Sequence, residues 1–308
     1  MADQLEQAVA RTPEVGEWGM RASTALHQTI LQGGEPARYV ADALHGTWLG
    51  HPLHPVLTEI TIGAWCVGGV MDAMAEFGGS SKAAWAGDRL AEIGAASAAA
   101  TALTGLADFS GLPQWAAKPA TLHAAINGVS AGLYAASIVE RRRGNHSRGR
   151  ALGWTALAMT AASAWLGGML VYKHGVGVDH SERFTGPKDW TPVLDERDLP
   201  LGRPMRVEVE GAGVLLYREG GRVLAIGSVC SHAGGPLEEG WVRDGCVQCP
   251  WHDSVFRLSD GAVVHGPATR PQPSFDARLR DGKVELRLAN DPGAGATPAG
   301  ETVAGAPS

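Results

Sequence analysis

Four cysteines in 308 residues are too few for a disulfide framework, and their spacing does not suggest one. Cys66 lies in an apolar run and Cys246 in an expected strand, so both read as small buried hydrophobes. Only Cys230 and Cys249 remain for chemistry. A basic surplus is also missing. Lys and Arg total 26 against 32 Asp and Glu, a net charge of −6, which gives nucleic acid no footing. No basic start leads into an apolar core and a small-residue cleavage site, so no secretory leader is expected. Charge is absent altogether from Ala151 to Tyr172.

That last absence reveals the organisation. Four Ala/Gly/Leu-rich segments, near 53–75, 90–110, 119–139 and 150–172, stand out from a chain of unremarkable mean hydropathy, −0.06. The last two are long enough to cross a bilayer, which takes about 20 residues. The first carries Glu59 and Asp72 and the second starts with Glu92, but small residues suit close helix packing in a membrane. Four transmembrane helices are expected; a soluble Ala-rich bundle is the alternative. Glu59 and Asp72 are expected to face the bundle interior.

Basic residues set the orientation. Arg141, Arg142, Arg143, Arg148 and Arg150 lie between segments three and four, and Lys82 and Arg89 between one and two. Loops rich in Lys and Arg stay in the cytoplasm, which puts the N-terminus and everything after segment four outside. Trp48, Trp115 and Tyr172 then fall at the outer interface, Trp85 and Trp154 at the inner one. The Arg run reads as a solvated topology anchor.

Residues 1–47 form a polar segment with helical apolar spacing, 48–172 the transmembrane bundle and 173–192 a polar linker. Short alternating strands follow over 193–288: 206–210, 214–218, 223–226, 242–248, 255–258, 275–279 and 284–288. Asp-Gly pairs at 244, 260 and 281 mark turns. The tail, 289–308, has little apolar surface to bury and is expected to be disordered.

Within the β region, Cys230-Ser-His232 and Cys249-Pro-Trp-His252 each offer one thiolate and one imidazole from a short loop. Such a set suits a metal centre with mixed sulfur and nitrogen ligands; a Cys2His2 zinc site uses the same residue types. The flanks, CSHAGGPLEEG and CPWHDSVFRLSDGAVVHGPATRPQP, resemble the Rieske [2Fe–2S] family. The resemblance implies that Cys230 and Cys249 hold one iron and His232 and His252 the other, with Gly266-Pro267-Ala268 folding over the cluster. The expected fold class is therefore multi-domain: an all-α four-helix transmembrane bundle followed by an all-β Rieske domain.

In high-potential Rieske proteins of cytochrome bc complexes, a disulfide braces the two loops at the positions of Gly235 and Trp251, where it cannot form here. A Ser and a Tyr hydroxyl also face the cluster there. Ser254 matches the Ser, but Phe256 stands at the Tyr position. Hydrogen bonds to the cluster raise its potential, so these four residues tune it towards the bottom of the roughly −150 to +300 mV Rieske range.

Upstream, Leu44-His-Gly-Thr-Trp-Leu-Gly-His51-Pro-Leu-His54-Pro resembles the opening of a bacterial four-helix membrane family of poorly defined function, known fused to Rieske domains. In an up-down bundle, His51, His54, His123, His174 and Asp108 share the end from which the chain leaves for the Rieske domain. They are candidate sites for a b-type haem or a quinone; interfacial residues capping helix ends are the alternative.

The functional expectation is a Rieske protein in a bacterial cytoplasmic membrane. It would carry single electrons between a redox partner protein or quinone and an acceptor, with its Rieske domain on the extracytoplasmic side. A redox sensor without turnover is the alternative. Only 56 residues follow His252, with His265 the one His among them, too little for the two-His, one-carboxylate iron site of an autonomous oxygenase.

Overall fold

The computed structural model describes residues 13–181 and 186–289, so the expected tail lies outside the described residues apart from Ala289. The chain divides between Val178 and Asp179 into two compact units.

The described residues of the first unit form six α-helices: α1 Pro13–Gln32, α2 Gly34–His45, α3 Leu53–Gly78, α4 Ser81–Ser110, α5 Ala117–Arg142 and α6 His146–Tyr172. Their ends follow from local chemistry. Gly46 takes a left-handed φ of 85° to close α2, and Ser80 Oγ caps α4 by accepting from Ala83 N at 3.2 Å. Helices α3–α6 are long and apolar enough to cross a membrane.

Their packing inverts the usual order. Apart from the Trp65–Tyr134 pair and Leu166, the interior of these helices is largely small or polar: Thr61, Gly68, Ala91, Gly94, Thr104, Ser130, Ser137, Ala156, Thr160 and Ser163 are buried. Ile60, Val67, Val70, Met74, Ile93, Leu103 and Val129 point outward. This distribution suits hydrocarbon around the bundle, because small side chains bring backbones close while large ones meet lipid. The aromatics Trp48, Phe77, Trp85, Trp115 and Tyr172 are exposed towards helix ends.

Several expectations need correcting. Asp72 is buried, but Glu59 faces outward, because its place on α3 lies off the stripe shared by His54, Thr61, Trp65 and Asp72. Cys66, next to the buried Trp65, is likewise exposed. Lys82 and Arg89 are not in a loop: α4 starts at Ser81, capped by Ser80. Arg141 is not solvated. Its guanidinium is buried in a bidentate pair with Asp72, at 2.6 and 2.7 Å, and also bonds Asp88 at 2.9 Å.

The bundle is an internal repeat that the sequence reading did not anticipate. Residue n of α3 corresponds to n + 69 of α5, and residue n of α4 to n + 62 of α6. Leu53-His54, Gly63 and Val70 recur as Leu122-His123, Gly132 and Val139; Thr101-Ala102 and Gly105 recur as Ser163-Ala164 and Gly167. Helices α3 and α4 pack as one hairpin and α5 and α6 as the other, leaving α3 and α5 diagonally opposed. Equivalent residues meet across the pseudo-twofold axis in three layers: His54 with His123 (ring centres 6.5 Å apart), Trp65 stacked on Tyr134 (3.9 Å), and Asp72 with Arg141. Paired glycines make the room. A Cβ at Gly87 would stand 2.5 Å from Asp72, and one at Gly149 2.5 Å from Arg141.

The second unit is all-β. A six-stranded sheet runs in the order β1-β10-β9-β4-β3-β2, and a smaller one in the order β5-β6-β7-β8. The strands are β1 Thr191–Asp195, β2 Met205–Val209, β3 Ala212–Glu219, β4 Arg222–Gly227, β5 Trp241–Arg243, β6 Cys246–Gln248, β7 Val255–Arg257, β8 Val263–His265, β9 Ser274–Arg280 and β10 Lys283–Leu288. The expected strand over 242–248 is a hairpin. Asp244 (φ 50°) and Gly245 (φ 72°) turn it, the backbone that two-residue hairpins require. Strands β1 and β8, too short and mixed to stand out, were not anticipated.

Strand β3 is buried on both faces. Val214 and Leu216 enter one core with Val284 and Leu286; Leu215, with Ile226 of β4, enters another that contains Cys230, Cys249, Leu237 and Phe256. The period-two alternation thus seats the ligand loops on the main sheet.

Candidate metal centre

The first loop leaves β4 and turns at Gly234 (φ 79°), with Gly234 N–H donating to Cys230 O and Cys230 N–H to Gly235 O, both at 2.8 Å. The second leaves β6 and returns at Ser254: Cys249 N–H donates to Ser254 O at 2.8 Å and Asp253 N–H to Cys249 O at 3.2 Å. Two tight turns thus present two buried cysteines and two histidines. The His232 and His252 rings stand 5.0 Å apart with planes at 83°, and the Nδ1 of each is buried. The Cys230 thiol bonds Cys249. That bond, with burial, holds Cys230 well above the ordinary thiol range; accepting it draws Cys249 down. Burial pushes the Cys246 thiol up, away from the loops.

The four residues expected to tune a cluster lie around this set. Ser254 is fully buried and its Oγ accepts from Ala268 N–H at 3.1 Å, tying the second loop to the 266–268 segment. Phe256 is fully buried beside both cysteines. A Cβ at Gly235 would lie 2.8 Å from Cys249 Sγ and 3.1 Å from the Trp251 ring, which is half exposed. Gln272, missed in the sequence, is fully buried behind the first loop. Its amide donates to Val229 O at 3.0 Å and accepts from Ser231 N–H at 2.8 Å. A glutamine between two prolines gives no local signal of burial.

The donor set fits a two-iron cluster: two thiolates for one iron, two imidazoles for the other. Among the described residues, no three His, Cys, Asp or Glu side chains converge on one ion. Ligands split two and two suit a binuclear centre better than a tetrahedral zinc ion.

Comparison with known proteins decides the class. Residues 189–276 match the Rieske [2Fe-2S] domain model. The anthranilate 1,2-dioxygenase ferredoxin subunit of Burkholderia cepacia is 36% identical over 105 residues, covering 32% of this chain and 93% of the relative. The chain belongs to the Rieske family. The ferredoxin subunit of 3-phenylpropionate/cinnamic acid dioxygenase from Escherichia coli K12 is 30% identical over 92 residues, 30% of this chain and 86% of the relative. The solved ferredoxin of carbazole 1,9a-dioxygenase from Nocardioides aromaticivorans IC177 aligns at 26% identity and TM-score 0.31, covering 32% of this chain and 98% of its own. Residues 50–180 match a second model, described as a predicted membrane protein (DUF2231). The Rieske domain implies a [2Fe–2S] cluster and electron transfer.

The remaining candidates gather at one end of the bundle. His54 and His123 face each other. Asp108 bonds His45 Nδ1 at 3.1 Å, a buried histidine that the sequence reading passed over. His51 is exposed, its Nδ1 at 2.8 Å from Pro52 O, and His174, just beyond α6, accepts from Trp115 Nε1 through its carbonyl at 3.1 Å.

Proposed function

We propose that this chain is a membrane-anchored Rieske electron carrier, with Cys230 and Cys249 holding one iron and His232 and His252 the other. The observation that carries this reading is the convergence of two buried cysteines and two close imidazoles on adjacent loops. When bound, the cluster supplies one-electron chemistry. The polypeptide buries the thiolates, holds the imidazoles edge to face, and offers the Ser254 hydroxyl hydrogen, since Oγ already accepts from Ala268.

The matching ferredoxin subunits belong by name to dioxygenases, which supports a protein acceptor here. The donor, haem or quinone, belongs at the membrane unit. Helix α6 ends beside the start of α3, so the chain leaves from the end that carries His54 and His123. The five arginines at the α5–α6 turn support a cytoplasmic location for the opposite end and an extracytoplasmic Rieske domain.

Reduced full-length protein in detergent should give a Rieske EPR signal that is lost in Cys230→Ser. A colourless protein carrying one zinc ion would overturn the reading. Protease added to intact spheroplasts should release the β unit; protection would place it inside.

A further inference from the structure

The layer formed by His54 and His123 has a protonation pattern fixed by its neighbours. His54 Nδ1 lies 2.9 Å from Thr101 O, which can only accept. It also lies 3.3 Å from Thr104 Oγ1, whose hydrogen goes to Thr101 O at 2.9 Å. His123 Nδ1 lies 2.9 Å from Ser163 O and 3.0 Å from Ser163 Oγ, whose hydrogen goes to His123 O at 3.1 Å. Each Nδ1 therefore carries its ring's proton, and each neutral ring offers a lone pair at Nε2. The Asn127 amide sits 3.0 Å from the His123 Nε2; among the described residues nothing bonds that of His54. His54, with Nδ1–H on a carbonyl and Nε2 open, is arranged as a metal ligand; His123 joins it when the Asn127 amide, which donates to its Nε2 at 3.0 Å, turns aside.

Spacing narrows the geometry. Metal–imidazole bonds of about 2.0–2.1 Å set ring centres about 5 Å apart at neighbouring tetrahedral positions and about 6 Å apart in trans. The His232–His252 pair matches the first case, at 5.0 Å; His54 and His123, at 6.5 Å, match the second. No third His, Cys, Asp or Glu joins them among the described residues. The centre must bring its other ligands or need none. The repeat supports a built site: a Cβ at Gly105 would stand 2.8 Å from the His54 ring, and one at its counterpart Gly167 3.2 Å from the His123 ring.

We propose that His54 and His123 are the trans imidazole ligands of one redox metal centre, a haem iron or a two-coordinate copper(I), on the pseudo-twofold axis of the bundle. This rests on the electron-carrier reading for its purpose.

The test uses detergent-purified full-length protein, titrated with haemin in one arm and copper(I) in the other, while the Rieske EPR signal is followed. One equivalent should bind in one arm, and that arm identifies the metal; a low-spin six-coordinate spectrum marks haem. His54→Ala and His123→Ala should each weaken binding at least tenfold with the Rieske signal unchanged. His51→Ala should bind as wild type. In the haem arm, His54→Met should retain haem with a histidine–methionine spectrum, which shows that the bundle tolerates change at this position. Less than a tenth of an equivalent in both arms, or undiminished binding by His54→Ala, would overturn the proposal. Metal binding without a Rieske signal would instead remove the carrier reading and leave this site standing.

Discussion

Trp251 lies against Gly235 so closely that a single added methyl group at 235 would press on both the indole and Cys249 Sγ. The two positions where relatives of the high-potential type place a disulfide are here joined by packing. Gly235→Ala should therefore expel cluster or shift the loops, costing about 1–3 kcal/mol as overpacking does. Iron per chain and the unfolding midpoint of the β unit measure it; full iron occupancy at wild-type stability would show that the loops yield freely.

Ser254→Ala removes the acceptor for Ala268 N–H and the hydroxyl hydrogen offered to the cluster. A hydrogen bond to a charged group is worth about 1.5–3 kcal/mol, which at about 59 mV per tenfold for one electron lowers the potential by roughly 60–130 mV. Voltammetry of wild type and variant checks both this shift and a starting value near the low end of the Rieske range. An unchanged potential would mean that the hydroxyl points elsewhere.

The buried Arg141–Asp72 pair makes a sharper demand. Asp72→Ala breaks the bidentate pair and leaves the buried guanidinium with Asp88 as its one remaining carboxylate, which should destabilise the bundle by up to about 3 kcal/mol, the lower end of the range for breaking a buried pair outright. Because residues 72 and 141 are equivalent in the repeat, as are 88 and 150, exchanging both pairs (Asp72→Arg with Arg141→Asp, and Asp88→Arg with Arg150→Asp) should recover much of that loss, since residue 141 keeps opposite charges at 72 and 88. Yield and thermal aggregation of the detergent-solubilised protein would report it; an exchanged variant no better than Asp72→Ala would deny the equivalence.

At the sheet edge, Lys283 bonds Asp195 and, by hydrogen bond first and charge second, holds its carboxyl below the usual value of 3.8. The sign follows from linkage: this contribution is full above that value and is lost as pH falls through the lower, folded one. Lys283→Met should make the β unit's stability less steep with pH below about 4, with little change at pH 7. Denaturant titrations at several acidic pH values measure the slope.

What the sequence revealed was what is local. Cys230-Ser-His232 and Cys249-Pro-Trp-His252 are read within a few residues, and so are the apolar runs of α3–α6. What it hid depends on partners. Glu59 and Asp72 are alike in chemistry; they lie on different faces of α3, and which face turns inward is set by the helices packed against it, where Arg141 meets Asp72. Strand β8 has three residues and exists through its pairing with β7. The repeat escaped notice because its few identities, such as His54 with His123, are scattered, and its contacting pairs differ in chemistry at Trp65/Tyr134 and Asp72/Arg141.

Those differences bear on how such a bundle arose. A lone hairpin assembling with its own copy would set one histidine against itself, which suits a shared ligand, but it would also set Asp against Asp. A charge pair on a twofold axis is closed to any homodimer. Asp72 facing Arg141 therefore requires two halves that differ in sequence at this layer, while the histidine layer would be the same in either arrangement.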